Sequence, residues 1–586
     1  MQSGKKFATK LLPTVFCLLS LLIVACGNTG NNSPTAQITK ASEDKQILVR
    51  PYPGLADLRT LDPPQTTDLY SAQSEYMIYA NLVILGDKGE VVDMLAASHN
   101  VSSDGLTWTF TLRDGLKFSD GTPITSQDVV YSIDRSLQPA TKSPNASYYM
   151  ARLKDVDKLV TNKVKTLIGD SLLAPDAKTV KIITDKKVAY FLDALTYQTN
   201  FLVEKKMIDK YGSKFTDHLL EGGCSGPWIV SNYVRGKEID FIPNPNYFGK
   251  KPLLKKVVRP FYKEADTTYS AYQVNQLDSA TIPTPKLNEA KALPNNQYHK
   301  DLALAIGYYT LNYLSKPFDN IKIRQAFDLA LDKDAIANNV YKGTVLATNH
   351  IVPQGMPGYF PDLKRAGSVT DTKAHPDLAK QLFEQGLKEE GFTRQTMPPI
   401  VMTVSTVGSA DARNSLAAEQ QMWQTALGIS IKVDDIDFNK LDEEVTNNAG
   451  SSKLMAWSIA WIADYPDPQN FTSIQFGNNA ANNKSNYGQN HATDVDLQVA
   501  TQQLLEQADA NTSNPTARLQ QYNKAEQQLV DDVAWLPMFQ QTTEYVMKPC
   551  VTNYMSNAFN LVSPDDWGSI YISTATPCAD TTNYNK

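Results

Sequence analysis

Trp108-Thr-Phe-Thr-Leu-Arg-Asp-Gly-Leu-Lys-Phe-Ser-Asp-Gly-Thr-Pro-Ile-Thr-Ser-Gln-Asp-Val-Val-Tyr-Ser132 carries the strongest local signals in the chain. Trp108, Phe110 and Leu112 alternate with Thr107, Thr109 and Thr111, which predicts a strand with one buried and one wet face. Asp104-Gly105, Asp114-Gly115 and Asp120-Gly121 mark turns on either side. Thr125-Ser126-Gln127-Asp128 has the form of a capping box, opening a helix that carries Val129, Val130 and Ile133. A strand-rich module therefore yields to a helix at residue 126.

Upstream, Gln46 to Val49 reads as a short strand, Pro51 to Pro64 as turns, and Ser71 to Leu82 as a helix with Tyr76, Tyr79 and Leu82 on one face. Downstream, between Ile321 and Trp461, the rhythm becomes α/β. Ile323, Phe327, Ala330 and Leu331 form one helical stripe, and Leu378, Leu382 and Phe383 another. Val401 to Ser405 predicts a strand, Asn414 to Leu427 a helix stopped by Gly428, Ile429 to Val433 a strand, and Leu454 to Trp461 another. A last helix is expected over Arg518 to Val530. Strands alternating with helices predict a mainly parallel sheet, whose ligands bind beyond strand ends.

At 586 residues, 42% hydrophobic and 20% charged, the chain exceeds what one core supports, so two or three domains are expected. Its first 26 residues run from Lys5, Lys6 and Lys10 through the apolar Leu11 to Ala25 to Cys26, the pattern of a signal peptide. Ile23-Val24-Ala25-Cys26 looks like a bacterial lipobox, in which Cys26 is acylated after cleavage; a plain secretory signal is the alternative. Residues 26–44 are rich in Gly, Asn, Ser and Thr and read as a flexible lipoprotein tether. The net charge of −6 becomes more negative once those lysines leave. A mildly acidic chain offers no electrostatic case for gripping nucleic acid, which needs clustered Lys and Arg.

Cys224, Cys550 and Cys578 show no zinc-like spacing, and no metal or cofactor is implied. In an exported protein Cys550 and Cys578 can close a disulfide, but spacing does not fix the pairing. The six histidines are scattered, and HExxH, GxSxG and Walker motifs are absent. Gly223-Cys-Ser-Gly226 superficially suggests a nucleophile, but its second glycine comes one residue early and Pro227 follows. A secreted hydrolase is thus the disfavoured alternative, and no catalytic residue is assigned.

The run 108–132 resembles the signature of the family 5 solute-binding proteins of ABC importers, the oligopeptide- and dipeptide-binding group. Four more stretches agree in order: Gly223 to Trp228, Asn244 to Pro252, Ile323 to Ile336, and Trp461-Ile-Ala-Asp-Tyr-Pro-Asp-Pro468. The resemblance implies a type II periplasmic-binding fold: two hinged α/β lobes with an extra domain inserted in the first lobe. It divides the chain into a signal peptide (1–25), a tether (26–44), a first lobe (45–69, 216–310 and 531–586), an inserted domain (70–215) and a second lobe (311–530). Hinges are expected near Gly307 to Asn312 and Ala534 to Phe539.

The resemblance also implies a site. In peptide-binding members the aspartate at Asp464 pairs with the ligand's α-ammonium; read alone, Asp464 could simply open a proline-rich turn. Trp461 would pack against ligand or belong to the core, and Tyr465 joins it as a ligand-binding candidate. Asp68-Leu69-Tyr70 sits where relatives offer backbone to an extended peptide. Asn145 falls near a position that is aromatic in oligopeptide-binding relatives. The expected partners are a small peptide, the transmembrane subunits of an ABC permease, and the membrane through the lipid anchor, with the protein a monomer on the outer face of the cytoplasmic membrane. Other members of this fold carry nickel chelates, haem, sugars or opines, so a non-peptide solute is the alternative ligand.

Overall fold

The computed structural model describes residues 38–406, 409–480 and 482–584. The signal segment, Cys26 and most of the tether lie outside the described residues. The chain from Lys40 onward forms one unit. Lys40 bridges Ser573, and Ala41 donates to the Ile572 carbonyl at 2.9 Å, so the chain is bound to the body a few residues before position 45.

Three sheets organise this unit. In the first, Ile47–Val49 lies parallel to Lys256–Tyr262, which pairs antiparallel with Glu238–Pro243 and through it with Trp228–Val234. The second has four antiparallel strands in the order Ala96–Val101, Thr107–Leu112, Thr179–Ile183, Leu172–Asp176. Here Trp108, Phe110 and Leu112 are buried and the threonines between them less so, as their alternation requires. The helix Ser126–Leu137 packs on this sheet, and its capping box is formed: the Asp128 carboxylate accepts from the Thr125 N–H at 2.8 Å and its hydroxyl at 2.9 Å.

The third and largest sheet has seven strands. Its main path runs Ser279–Thr281, Leu536–Met547, Tyr298–Leu311, Ala456–Ile462, Val401–Val404, Lys432–Asp435, and Val345–Ala347 also pairs with Leu536–Met547. Only the strands beginning at Val401, Lys432 and Ala456 run parallel, which corrects the expected mainly parallel sheet. The helices Ala410–Leu427 and Phe438–Thr446 return the chain between those three. The other pairings are antiparallel because two long strands from distant parts of the sequence, of 14 and 12 residues, enter side by side.

These long strands carry most of both expected hinge segments, Gly307 to Leu311 in one and Leu536 to Phe539 in the other. Gly307 pairs with Phe539, and the register shifts between Gly307 and Tyr308. Residues 279–310 and 536–547, grouped above with the first lobe, thus contribute strands to the sheet that also holds strands from 401–462.

Smaller departures have local causes. The helix expected over 71–82 is Leu69–Ile78, because Asp68 caps it and the strand Val83–Leu85 must follow. Ile429 and Ile431 are buried ahead of their strand, which is Lys432–Asp435. The helix Ala410–Leu427 does stop at Gly428, whose φ of 67° is the left-handed value that favours glycine. Among the described residues, no helix is long and apolar enough to cross a membrane.

Candidate functional site

The strand Ala456–Ile462 pairs with Tyr298–Leu311 along its whole length on one side. On the other side Val401–Val404 accompanies it only at Ala456 and Trp457. Among the described residues, Ser458 to Ile462 therefore present an unpaired edge. Ala463 donates to the Leu304 carbonyl at 2.8 Å, so by antiparallel alternation Ser458, Ala460 and Ile462 turn their N–H and C=O groups toward that free edge.

Asp464 stands at the end of this edge. Its Oδ2 accepts from the Tyr149 hydroxyl at 2.6 Å and from Asn470 Nδ2 at 3.1 Å. Asn470, fully buried, also accepts at Oδ1 from the Asp464 N–H and from Trp461 Nε1, both at 3.1 Å. One amide thus fixes the carboxylate, its backbone and the tryptophan together. No cation pairs with Asp464 among the described residues. Burial raises its carboxyl to about 6, against the lowering effect of its two hydrogen bonds. Tyr149, Tyr197 and Tyr148 surround it, all held well above the ordinary phenol range by burial and then by the Asp464 charge.

The proline-rich turn that follows uses another carboxylate. Asp467 accepts from the Gln469 N–H at 2.9 Å, starting the short helix Pro468–Asn470, and takes two hydrogen bonds from Arg518 at 2.6 and 2.8 Å. Asp464 makes no such backbone cap, which leaves the turn-opening reading without support.

The other expected residues divide. Trp461 is half-buried against the core. Tyr465 is buried, its hydroxyl bonded to Gln469 and its ring 6.0 Å edge-on from Tyr149, so it supports the site from behind. Asn145 bonds to Tyr197 Oη at 3.0 Å and the Thr66 carbonyl at 3.3 Å, holding its loop beside the tyrosines.

Asp68, Leu69 and Tyr70 require a correction. Asp68 Oδ1 accepts from the N–H groups of Tyr70 and Ser71 at 3.1 and 2.9 Å, and Leu69 and Tyr70 form the first turn of the helix. Leu69 and Tyr70 lie inside that helix and offer no strand edge, and Asp68 is extended as its N-cap.

Tyr149, Tyr197 and Asn470 were not anticipated. Tyr149 meets Asp464 across 315 positions of sequence, a pairing no local pattern signals. Asn470, six residues after Asp464, could have been suspected from the density of polar residues after the strand.

Two chemically suggestive groups are structural. Cys224 is buried and its thiol is pushed up to about 12, which denies it a thiolate. Cys550 and Cys578 are joined as a disulfide, with Asp278 beside them accepting from the N–H groups of Val49 and Ala579 at 2.8 and 2.9 Å. With both sulfurs bonded to each other, no thiolate remains to hold a metal.

Residues 90–483 match the family model of bacterial extracellular solute-binding proteins, family 5. The oligopeptide-binding protein OppA of Bacillus subtilis is 26% identical over 542 residues, covering 91% of this chain and 94% of that protein. The periplasmic oligopeptide-binding protein OppA of Escherichia coli is also 26% identical, over 87% of this chain and 90% of its own length. The solved murein tripeptide binding protein MppA of Escherichia coli superposes with a TM-score of 0.72 at 24% identity, covering 90% of this chain and 99% of that one, which establishes the shared fold. By its family-model match over most of its length, its matching relatives and its fold, this chain belongs to the bacterial extracellular solute-binding proteins, family 5.

Proposed function

We propose that the protein binds peptides in extended form along the edge Ser458 to Ile462, holds the peptide α-ammonium at Asp464, and delivers its ligand to an ABC-type permease. The observation that carries this reading is a desolvated carboxylate that, among the described residues, has no cation and stands at the end of an unpaired strand edge. An ammonium removed from water needs a carboxylate, and among the described residues nothing supplies this one with a counter-charge. The edge supplies main-chain hydrogen bonds, which give affinity without regard to side chains. Strand addition belongs here rather than at Asp68 to Tyr70.

Trp461 and Asn145 would flank the peptide, while Tyr465 keeps Tyr149 in place. Tyr149 and Tyr197 come from the proposed inserted domain and Asp464 from the proposed second lobe, which supports a site between lobes that close about the paired long strands. The names of the relatives, oligopeptide-binding proteins, support a peptide over a nickel chelate, haem, sugar or opine. In this reading the chain is secreted, acylated at Cys26 and held as a monomer outside the cytoplasmic membrane. More than one acyl chain is needed for stable anchoring.

Native mass spectrometry of the purified domain lacking Cys26 tests the ligand. A series of co-purifying peptide masses that disappears in Asp464→Ala is expected. An empty protein that later binds only a sugar or a metal chelate would keep the fold and overturn the peptide.

A further inference from the structure

A cavity of about 230 Å³ opens beside the free strand edge, where Val401–Val404 ends, and runs beneath it toward the helix Ala410–Leu427. Ser458 and Ala460 line it on the strand side, and Tyr341, Leu416 and Phe539 give it apolar walls. Glu419 is the only charged side chain in its lining among the described residues.

Glu419 is 2% exposed and has no cationic partner among the described residues. Its oxygens accept from the Ser415 hydroxyl at 2.6 Å and from the Tyr309 hydroxyl. Burial raises its carboxyl above the ordinary range, so its position between helix and sheet is unfavourable for the charged form. A cation entering from the edge would offset that cost, and the apolar walls suit a methylene stem leading to it.

The register follows from the strand. In the proposed mode the ligand runs antiparallel to the edge from Asp464, so its first residue lies beside Ile462 and its third beside Ala460, at about 3.4 Å per residue. Directly opposed residues of an antiparallel pair share a face, and Ala460 faces the cavity.

We propose that this cavity is a side-chain pocket for lysine or arginine at the third residue of the bound peptide, with Glu419 as the counter-charge. The assignment rests on the peptide reading above and adds a specificity to it. Glu419 would select against acidic third residues as well, since two buried carboxylates repel.

Calorimetry with Ala-Ala-Lys-Ala-Ala and the same peptide carrying norleucine at its third position tests this. Norleucine keeps the stem and lacks the ammonium. The wild-type protein is expected to bind the lysine peptide about tenfold more tightly, the difference expected of one modest charge contact. In Glu419→Gln the ratio of the two affinities is expected to fall to about one. Equal or tighter binding of the norleucine peptide by wild type overturns the pocket, with no variant required. A lysine preference that survives Glu419→Gln, or one found at the second or fourth residue instead, overturns it too. If neither peptide binds wild type, the peptide reading falls with it, an outcome distinct from binding without preference.

Discussion

Asp464 and Asp467 stand three residues apart on one loop, and their surroundings are opposite. Asp467 is fully employed: Arg518 grips both its oxygens and the Gln469 N–H completes the set. Asp464 has a tyrosine hydroxyl and an amide but, among the described residues, no positive charge, and its carboxyl is raised to about 6 by burial. A buried carboxylate with its cation built in holds the loop together. One left without a cation has room for a ligand to bring it. The same contrast fits a loop that is both proline-rich and polar: Asp467 and Asn470 fix its shape, so that Asp464 can remain without a cation and the turn still holds.

The largest effect should come from the structural half. Arg518→Ala leaves Asp467 buried and unpaired, and urea unfolding is expected to show a loss of about 3 to 5 kcal/mol. A loss under about 1 kcal/mol would mean that the two aspartates differ less than their geometry implies.

Asn470→Ala joins the halves, because Asn470 holds both the Asp464 backbone and its carboxylate. It should weaken peptide binding by about 1 to 2 kcal/mol through a misplaced carboxylate. Asn470→Asp, which keeps an acceptor for Trp461 and the Asp464 N–H but sets a second charge beside Asp464, should bind no better.

The pH dependence should be graded. Asp464 has a raised folded value, so in the free protein its proton is a stabilising feature below its unfolded value of about 4, lost as pH rises through about 6. Peptide binding has the opposite requirement, since the ammonium needs the carboxylate. Affinity should therefore fall as pH drops through about 6, approaching tenfold per unit. It should fall again at high pH as the peptide amine, with a value near about 8, loses its proton. Affinity that is flat between pH 5 and 7 would remove Asp464 from the anchor.

Two regions of the molecule differ in how far their structure is legible in the sequence. The run from Trp108 to Ser132 carries its structure locally, through alternation, turn residues and a capping box, and the strand and helix formed there follow it. Asp464 was singled out through resemblance, because an aspartate among prolines has the same local pattern whether it caps a turn or meets a ligand. Its distinction from Asp467 depends on Arg518 and Tyr149, which arrive from distant segments. The antiparallel half of the large sheet is not legible for a similar reason: the strand Tyr298–Leu311 has charged residues at its start and irregular pairing, so period-two alternation is weak there. At Asp68 the local signal points to a helix start. An aspartate just before a helical run is an N-cap, and a helix beginning at Leu69, buried on every side from Ser71 to Ile78, leaves only Thr66 to Asp68 extended before it.

Calorimetry of one short peptide and its N-acetylated form, with wild type and Asp464→Ala, tests the central claim most directly. The account predicts that acetylation and the substitution each cost about 2 to 5 kcal/mol and that the acetylated peptide loses little further in Asp464→Ala, because both changes break one contact. Wild-type affinity indifferent to acetylation, or an unaltered affinity in Asp464→Ala, would contradict it.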